Sequence, residues 1–90
     1  MENKTPLPVI HLNGSSAESL ASDYQAALKL ARELGLALRR IDMHQRNYPL
    51  PDTWVPARDA YHEILVQHEK THSYLTEHFY HCEQARRKAP

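Results

Sequence analysis

The sequence is poor in the residues that mark secreted scaffolds, membrane spans and many enzymes. Its 90 residues include a single cysteine, Cys82, so an internal disulfide is excluded and a reducing compartment is expected. Its two glycines leave little room for a glycine-rich phosphate loop or a nucleophile elbow. No apolar run approaches the roughly 20 residues of a membrane span, and no secretion signal is apparent. These absences predict a cytoplasmic protein with no membrane partner.

An excess of charge of either sign is also lacking. Lys plus Arg and Asp plus Glu each number 11, so the formal net charge is zero. Without a basic excess, nucleic acid is not an expected partner. The basic run Arg86-Arg87-Lys88 ends a predicted helix, where cations complement the helix dipole. The length indicates one small domain, whose core alone gives only marginal stability.

Two amphipathic segments predict an all-α fold. The first predicted helix covers residues 16–43 and follows a Ser15/Glu18 pattern that is typical of a capping box. We expect it to continue past Gly35, because the apolar residues keep their three-four spacing beyond that position. A break at Gly35 is the alternative. The predicted seam of this helix contains seven residues: Leu20, Tyr24, Ala27, Ala31, Leu34, Leu38 and Ile41.

The second predicted helix covers residues 56–88, with Pro56 in its first turn. Before it, residues 45–55 form an insert in which Pro49 and Pro51 interrupt regular helix. Residues 1–8 are expected to be a flexible arm, followed by a short extended piece over residues 8–12. The apolar stripe of the second helix contains Tyr61, Ile64, Leu65, Thr71, Leu75, Phe79, Cys82 and Ala85.

These elements together predict a two-helix antiparallel hairpin with a short extended N-terminal segment. Further apolar residues, including Leu28 and Leu30, widen the apolar surface beyond one seam. Because a hairpin buries only one side of each helix, we expect it to oligomerise into a helical bundle, for example as a dimer of four helices.

One motif points to a metal enzyme. The segment from His68 to His72 matches H-E-x-x-H, in which two histidines share a helix face and bind Zn²⁺ while Glu69 polarises a water molecule. His78 occupies the third-histidine position of the longer zincin pattern. However, Leu75 replaces the glycine that turns the chain in that pattern, so a continuing helix puts His78 about 80° away from His68. We therefore favour histidines at a helix interface and no cofactor, with a zinc hydrolase that uses His68, His72 and Glu69 as an alternative.

A second group of residues is suited to binding a small anion. Arg39 lies at the end of the first predicted helix, and Arg46 and Tyr48 follow in the insert; such residues contact phosphate and stack on a base. At the other end, His11 and Asn13 precede a helix N-terminus, which favours anions. The two groups lie about 40 Å apart along the first helix, so one pocket that uses both requires an antiparallel neighbour.

Exposed apolar residues of the insert indicate a different kind of partner. Trp54 and Leu50, beside Tyr48, suit an anchor for another protein, because aromatic residues dominate binding hot spots. On this interpretation the chain is a protein–protein inhibitor.

The order of these elements resembles small proteins of tailed phages and prophages. The similarity rests on the start Ile10-His11-Leu12-Asn13-Gly14-Ser15-Ser16, an Ala/Leu-rich helix, an insert with Asn47-Tyr48-Pro49, and a long helix rich in Glu and His. The resemblance implies a small helical oligomer in the host cytosol, of the type that blocks host defence by binding a defence protein or sequestering a nucleotide signal.

The sequence thus leads to a ranked set of functions. The first is a non-enzymatic counter-defence protein that sequesters a small phosphorylated ligand between subunits. A protein–protein inhibitor or structural helical oligomer comes second, and a zinc metallohydrolase third.

Overall fold

The computed structural model describes residues 5–10 and 16–88. It contains two α helices, α1 (Ala17–Arg39) and α2 (Trp54–Lys88), with a 3₁₀ turn (Gln45–Asn47) between them. The helices pack side by side in an elongated hairpin of 63 × 29 × 17 Å. No strand occurs in the described ranges. The predicted all-α helical hairpin is therefore confirmed for this part of the chain.

The first helix is shorter than its predicted range of 16–43. Its N-cap is Ser16, whose hydroxyl accepts a hydrogen bond of 3.0 Å from the Ser19 amide, while the expected cap Ser15 lies outside the described residues. The helix passes Gly35 without a break. It ends at Arg39 because the next two amides bond to carbonyls three residues earlier, which tightens the last turn.

The second helix begins two residues earlier than predicted, at Trp54. Pro56 becomes its third residue, within the first turn where an amide has no helical acceptor. Thr53 joins the loop to the helix. Its carbonyl accepts from the Ala57 amide, and its hydroxyl donates to the Leu50 carbonyl at 2.7 Å. Thr53 thus precedes the helix directly and supplies an acceptor to its first turn.

The last turn of α2 carries the basic run of the sequence. Arg86 donates to Glu83 at 3.1 Å, and this hydrogen bond lowers the pKa of the Glu83 carboxyl group. Arg87 also lies within 3.6 Å of the same carboxylate. Part of the basic tail is therefore neutralised by its own helix.

The face that α1 presents to α2 overlaps the predicted seam only in part, since Ala31 belongs to both. Leu34, a predicted seam residue, is 53% exposed, and Ile41 is also exposed. The small residues fit this position because α2 places bulky tyrosine and histidine side chains against α1, and leucines would leave them no space. The buried residues of α1 are mostly small: Ala17, Ala21, Leu28, Ala31 and Gly35.

The N-terminal segment, residues 5–10, lies along α2. The Nε2 atom of His78 is 3.2 Å from the Pro6 carbonyl oxygen, and that of His81 is 2.7 Å from the Pro8 carbonyl oxygen. His78 is only 1% exposed. The described part of the predicted flexible arm, residues 5–8, is thus held by two histidines; residues 1–4 lie outside the description.

Neither helix contains, within the described residues, a stretch long and apolar enough to cross a membrane.

Candidate functional site

His68, the first residue of the zinc-like motif, joins the two helices. Its Nε2 atom is 2.6 Å from the Ala31 carbonyl oxygen. Since a carbonyl can only accept, Nε2 carries a proton, while the Nδ1 atom is buried and has no hydrogen-bond partner in the described residues. The ring reaches Ala31 because Gly35 has no side chain: a Cβ atom there would lie 2.5 Å from the His68 Cε1 atom.

The other motif residues, Glu69 and His72, line the same groove as His68, which has a volume of about 320 Å³. The His72 ring centroid is 6.4 Å from that of His68. The Nε2 atom of His68 already donates to the Ala31 carbonyl, and its Nδ1 atom is enclosed. Over the described ranges, no group of three or more His, Cys, Asp or Glu side chains is arranged to hold a metal ion. His68 instead links the two helices through its hydrogen bond to the Ala31 carbonyl.

The third histidine of the motif also has a structural position. His78 contacts two carbonyl oxygens: its Nδ1 atom lies 2.8 Å from that of Tyr74, and its Nε2 atom 3.2 Å from that of Pro6. A neutral imidazole has one N–H and satisfies one of them, whereas an imidazolium satisfies both. Tyr74 stacks on the ring at 3.9 Å between centroids, and Tyr24 packs against it from α1. His78 therefore fixes the N-terminal segment to α2.

A further hydrogen bond between the helices comes from Tyr61. Its hydroxyl donates to the Leu38 carbonyl at 2.6 Å, near the end of α1. This bond and the one from His68 lie seven residues apart on each helix, so they fix the antiparallel register at two levels. Sequence patterns placed Tyr61 on the apolar stripe but did not predict its hydrogen bond.

Among the predicted ligand-binding residues, Arg39 has the position best suited to a ligand. It lines an open cleft of about 900 Å³ together with His62, Lys70 and Glu69. It also lines an adjoining groove of about 320 Å³ that contains His72. Its guanidinium group donates to the Gly35 carbonyl at 3.1 Å, which holds the side chain across the end of α1.

The predicted residues of the insert form a separate cluster. Arg46 is exposed and lies 3.7 Å from the Asp42 carboxylate. The Tyr48 ring packs against Trp54 with centroids 5.8 Å apart, and the Tyr48 hydroxyl contacts the sulfur of Met43. Neither Arg46 nor Tyr48 lines the two spaces beside Arg39.

The predicted partner-binding residues belong to the same insert. Trp54 is half-buried under Tyr48, whereas Leu50 is 70% exposed. The remaining two predicted ligand residues, His11 and Asn13, lie outside the described residues.

An apolar groove runs between the helices. It has a volume of about 410 Å³, and its rim includes Leu30 and Leu34 of α1 and Ile64 of α2, all of which are largely exposed. Thr71 and Leu75 continue the same stripe toward His78, whose Nε2 atom contacts the Pro6 carbonyl. No residue of the N-terminal segment 5–10 lines the groove itself.

Comparison with protein-family models, with curated proteins and with solved structures finds no match to this chain.

Proposed function

We propose that the chain is a non-enzymatic binding protein that works as an oligomer of hairpins. The observation that carries this proposal is the open apolar groove with the exposed residues Leu30, Leu34 and Ile64. The buried hydrophobic residues of one hairpin are, by contrast, mostly alanines. A second copy placed on the groove buries the larger side chains of both chains at once.

The association is tested by placing a charge in the groove. Burying a leucine stabilises by about 2 kcal/mol, and a twofold interface loses that contribution twice. Leu34→Asp is therefore expected to weaken dimerisation roughly 1000-fold, since about 1.4 kcal/mol corresponds to a factor of ten. Leu36→Asp is the matched control, because Leu36 is similarly exposed but lines the groove on the other side. Sedimentation equilibrium measures both; equal dimer affinities for the two variants contradict the proposal.

The ligand of this oligomer is proposed to be a small phosphorylated molecule. Arg39 and Lys70 bring two cations, and Glu69 and Glu77 two carboxylates, to a cleft whose volume, about 900 Å³, falls in the range of small-molecule sites. Guanidinium groups bind phosphate through paired hydrogen bonds. In an antiparallel oligomer, Arg46 and Tyr48 of one copy supply further contacts at the site of the other.

The ligand proposal is tested with ATP and inorganic pyrophosphate as probes in isothermal titration calorimetry. Arg39→Ala is expected to weaken binding at least tenfold, because it removes a charge-assisted contact. Arg58→Ala is the control, since Arg58 is paired with its neighbour Asp59 and lies away from the cleft. Absence of binding to the wild-type protein, or an equal loss in both variants, refutes phosphate capture.

A second candidate function is inhibition of another protein, and the exposure of Leu50 favours it. Trp54→Ala would then abolish capture of the partner, whereas Arg46→Ala would retain it. The resemblance to small phage proteins favours a counter-defence setting for either function.

A further inference from the structure

The N-terminal segment is held by an arrangement that recognises backbone. Proline has no N–H, so Pro6 and Pro8 can take part in backbone hydrogen bonds only through their carbonyls. The Nε2 atoms of His78 and His81 lie 3.2 and 2.7 Å from the carbonyl oxygens of these two prolines, which are two residues apart in the chain. His78 donates to Pro6 either as an imidazolium or in the neutral tautomer that leaves the Tyr74 carbonyl without this bond. We call these two histidines the clamp. Its occupant is the tripeptide Pro6-Leu7-Pro8.

The same tripeptide occurs a second time, in the loop between the helices, as Pro49-Leu50-Pro51. There, Thr53 bonds to the Leu50 carbonyl, while the Pro49 and Pro51 carbonyls accept no hydrogen bond from any described residue. These are the carbonyls that correspond to the two held by the clamp. Leu50 is also 70% exposed, compared with 36% for Leu7.

We propose that the loop tripeptide of one copy docks in the clamp of a second copy and displaces the resident N-terminal segment. The N-terminal segment then acts as an internal competitor for a site whose other ligand is Pro49-Leu50-Pro51 of the partner copy. This inference rests on the proposed self-association and specifies its geometry.

The positions of the loop and the clamp require an antiparallel pair. Along α2, Trp54 and His78 are separated by about 36 Å at 1.5 Å per residue. In an antiparallel pair each loop reaches the clamp of the other copy, and a twofold axis passes midway between them. That midpoint falls near Ile64 and Gln67, which line the apolar groove. One twofold arrangement therefore places the two grooves face to face and joins both loops to both clamps.

Crosslinking of two mixed variants tests the arrangement. One carries Leu50→Cys and the other Glu77→Cys, an exposed position one residue before His78, each with Cys82→Ala. After mixing and equilibration, a short bis-maleimide is expected to give a heterodimer. The control pairs Leu50→Cys with Arg58→Cys, which a parallel pair would bring together. A heterodimer yield at least fivefold above that control supports the proposal; an equal or reversed yield overturns it.

Competition by the N-terminal segment is tested in the full chain by sedimentation equilibrium. Leu7→Asp weakens the resident segment and is expected to tighten dimerisation at least threefold, whereas Leu50→Asp weakens it at least tenfold. Val9→Asp is the matched control on the same segment, since Val9 is 80% exposed. One outcome separates the two proposals: Leu34→Asp abolishes the dimer, whereas Leu7→Asp and Leu50→Asp do not change its affinity. That result supports the proposed self-association and overturns the docking of the loop. A wild-type protein that is monomeric throughout overturns both.

Discussion

The contact between Gly35 and His68 makes a prediction opposite to that of helix propensity. At an open helix position, Gly→Ala stabilises by about 1 kcal/mol. Here the new Cβ atom would lie 2.5 Å from the His68 Cε1 atom and 3.0 Å from its Nε2 atom. The ring must therefore move, which breaks its hydrogen bond to Ala31.

The expected size of the effect follows from three contributions. Overpacking costs about 1 to 3 kcal/mol, the lost hydrogen bond about 1 kcal/mol, and the gain in propensity offsets about 1 kcal/mol. Gly35→Ala is thus expected to destabilise the protein by roughly 2 kcal/mol. Urea unfolding followed by circular dichroism, at one fixed protein concentration, measures the difference.

A double-mutant cycle separates the contact from other effects of the substitution. In a His68→Ala background the clashing ring is absent, so Gly35→Ala should stabilise by up to about 1 kcal/mol. The reasoning is refuted if Gly35→Ala stabilises the wild-type protein, or if its effect has the same sign and size in both backgrounds.

Two further predictions concern buried groups. Tyr61→Phe removes the hydrogen bond to the Leu38 carbonyl and should lower the free energy of unfolding by about 1 kcal/mol, whereas Tyr80→Phe, at an exposed position, should change it by less than about 0.5 kcal/mol; equal effects would contradict the role of the Tyr61 bond. Burial raises the pKa of the Cys82 thiol above its ordinary value of 9.0, because the folded protein disfavours the thiolate. The buried thiol therefore contributes stability at lower pH, and this contribution is lost as the pH rises through the raised pKa. Iodoacetamide at pH 8 should therefore alkylate Cys82 at least about 100-fold more slowly in the folded protein than in urea, and comparable rates would show that the thiol is accessible.

Helical periodicity was sufficient to predict the two helices but not the exact face that joins them. The spacing of Leu20, Leu34 and their neighbours identifies an amphipathic helix, because apolar residues recur every three or four positions. The predicted seam and the buried face of α1 share Ala31, but the buried face contains Gly35 in place of Leu34. The choice between them depends on the volume of the opposing side chains, which a single-helix pattern does not contain.

The hydrogen-bond partners of the histidines could likewise not be predicted from sequence motifs. The H-E-x-x-H spacing correctly puts His68 and His72 on neighbouring parts of a helix, yet the acceptor of His68 is a carbonyl 37 residues earlier in the chain. The clamp formed by His78 and His81 depends in the same way on carbonyls of residues 6 and 8. The sequence offered one indication of these contacts, the prolines at positions 6 and 8. Because proline has no N–H, its backbone can only accept hydrogen bonds from donors elsewhere in the chain.

The predicted ligand residues show a similar limit. Arg39 lies beside a cleft because the last turn of α1 packs against the first part of α2, near Tyr61, as hairpin topology predicts. Arg46 and Tyr48 instead form local contacts within the loop, with Asp42 and Trp54. Local hydrogen bonds and ring packing in a proline-containing loop are not encoded in spacing alone.

Native mass spectrometry of the wild-type protein beside Ile64→Asp shows whether two hairpins pair through the apolar groove. We expect the wild-type spectrum to contain the mass of two chains and the Ile64→Asp spectrum that of one, with equal helix content by circular dichroism. A wild-type protein that remains a single chain at every concentration, or an Ile64→Asp protein that still forms the dimer, would contradict the claim.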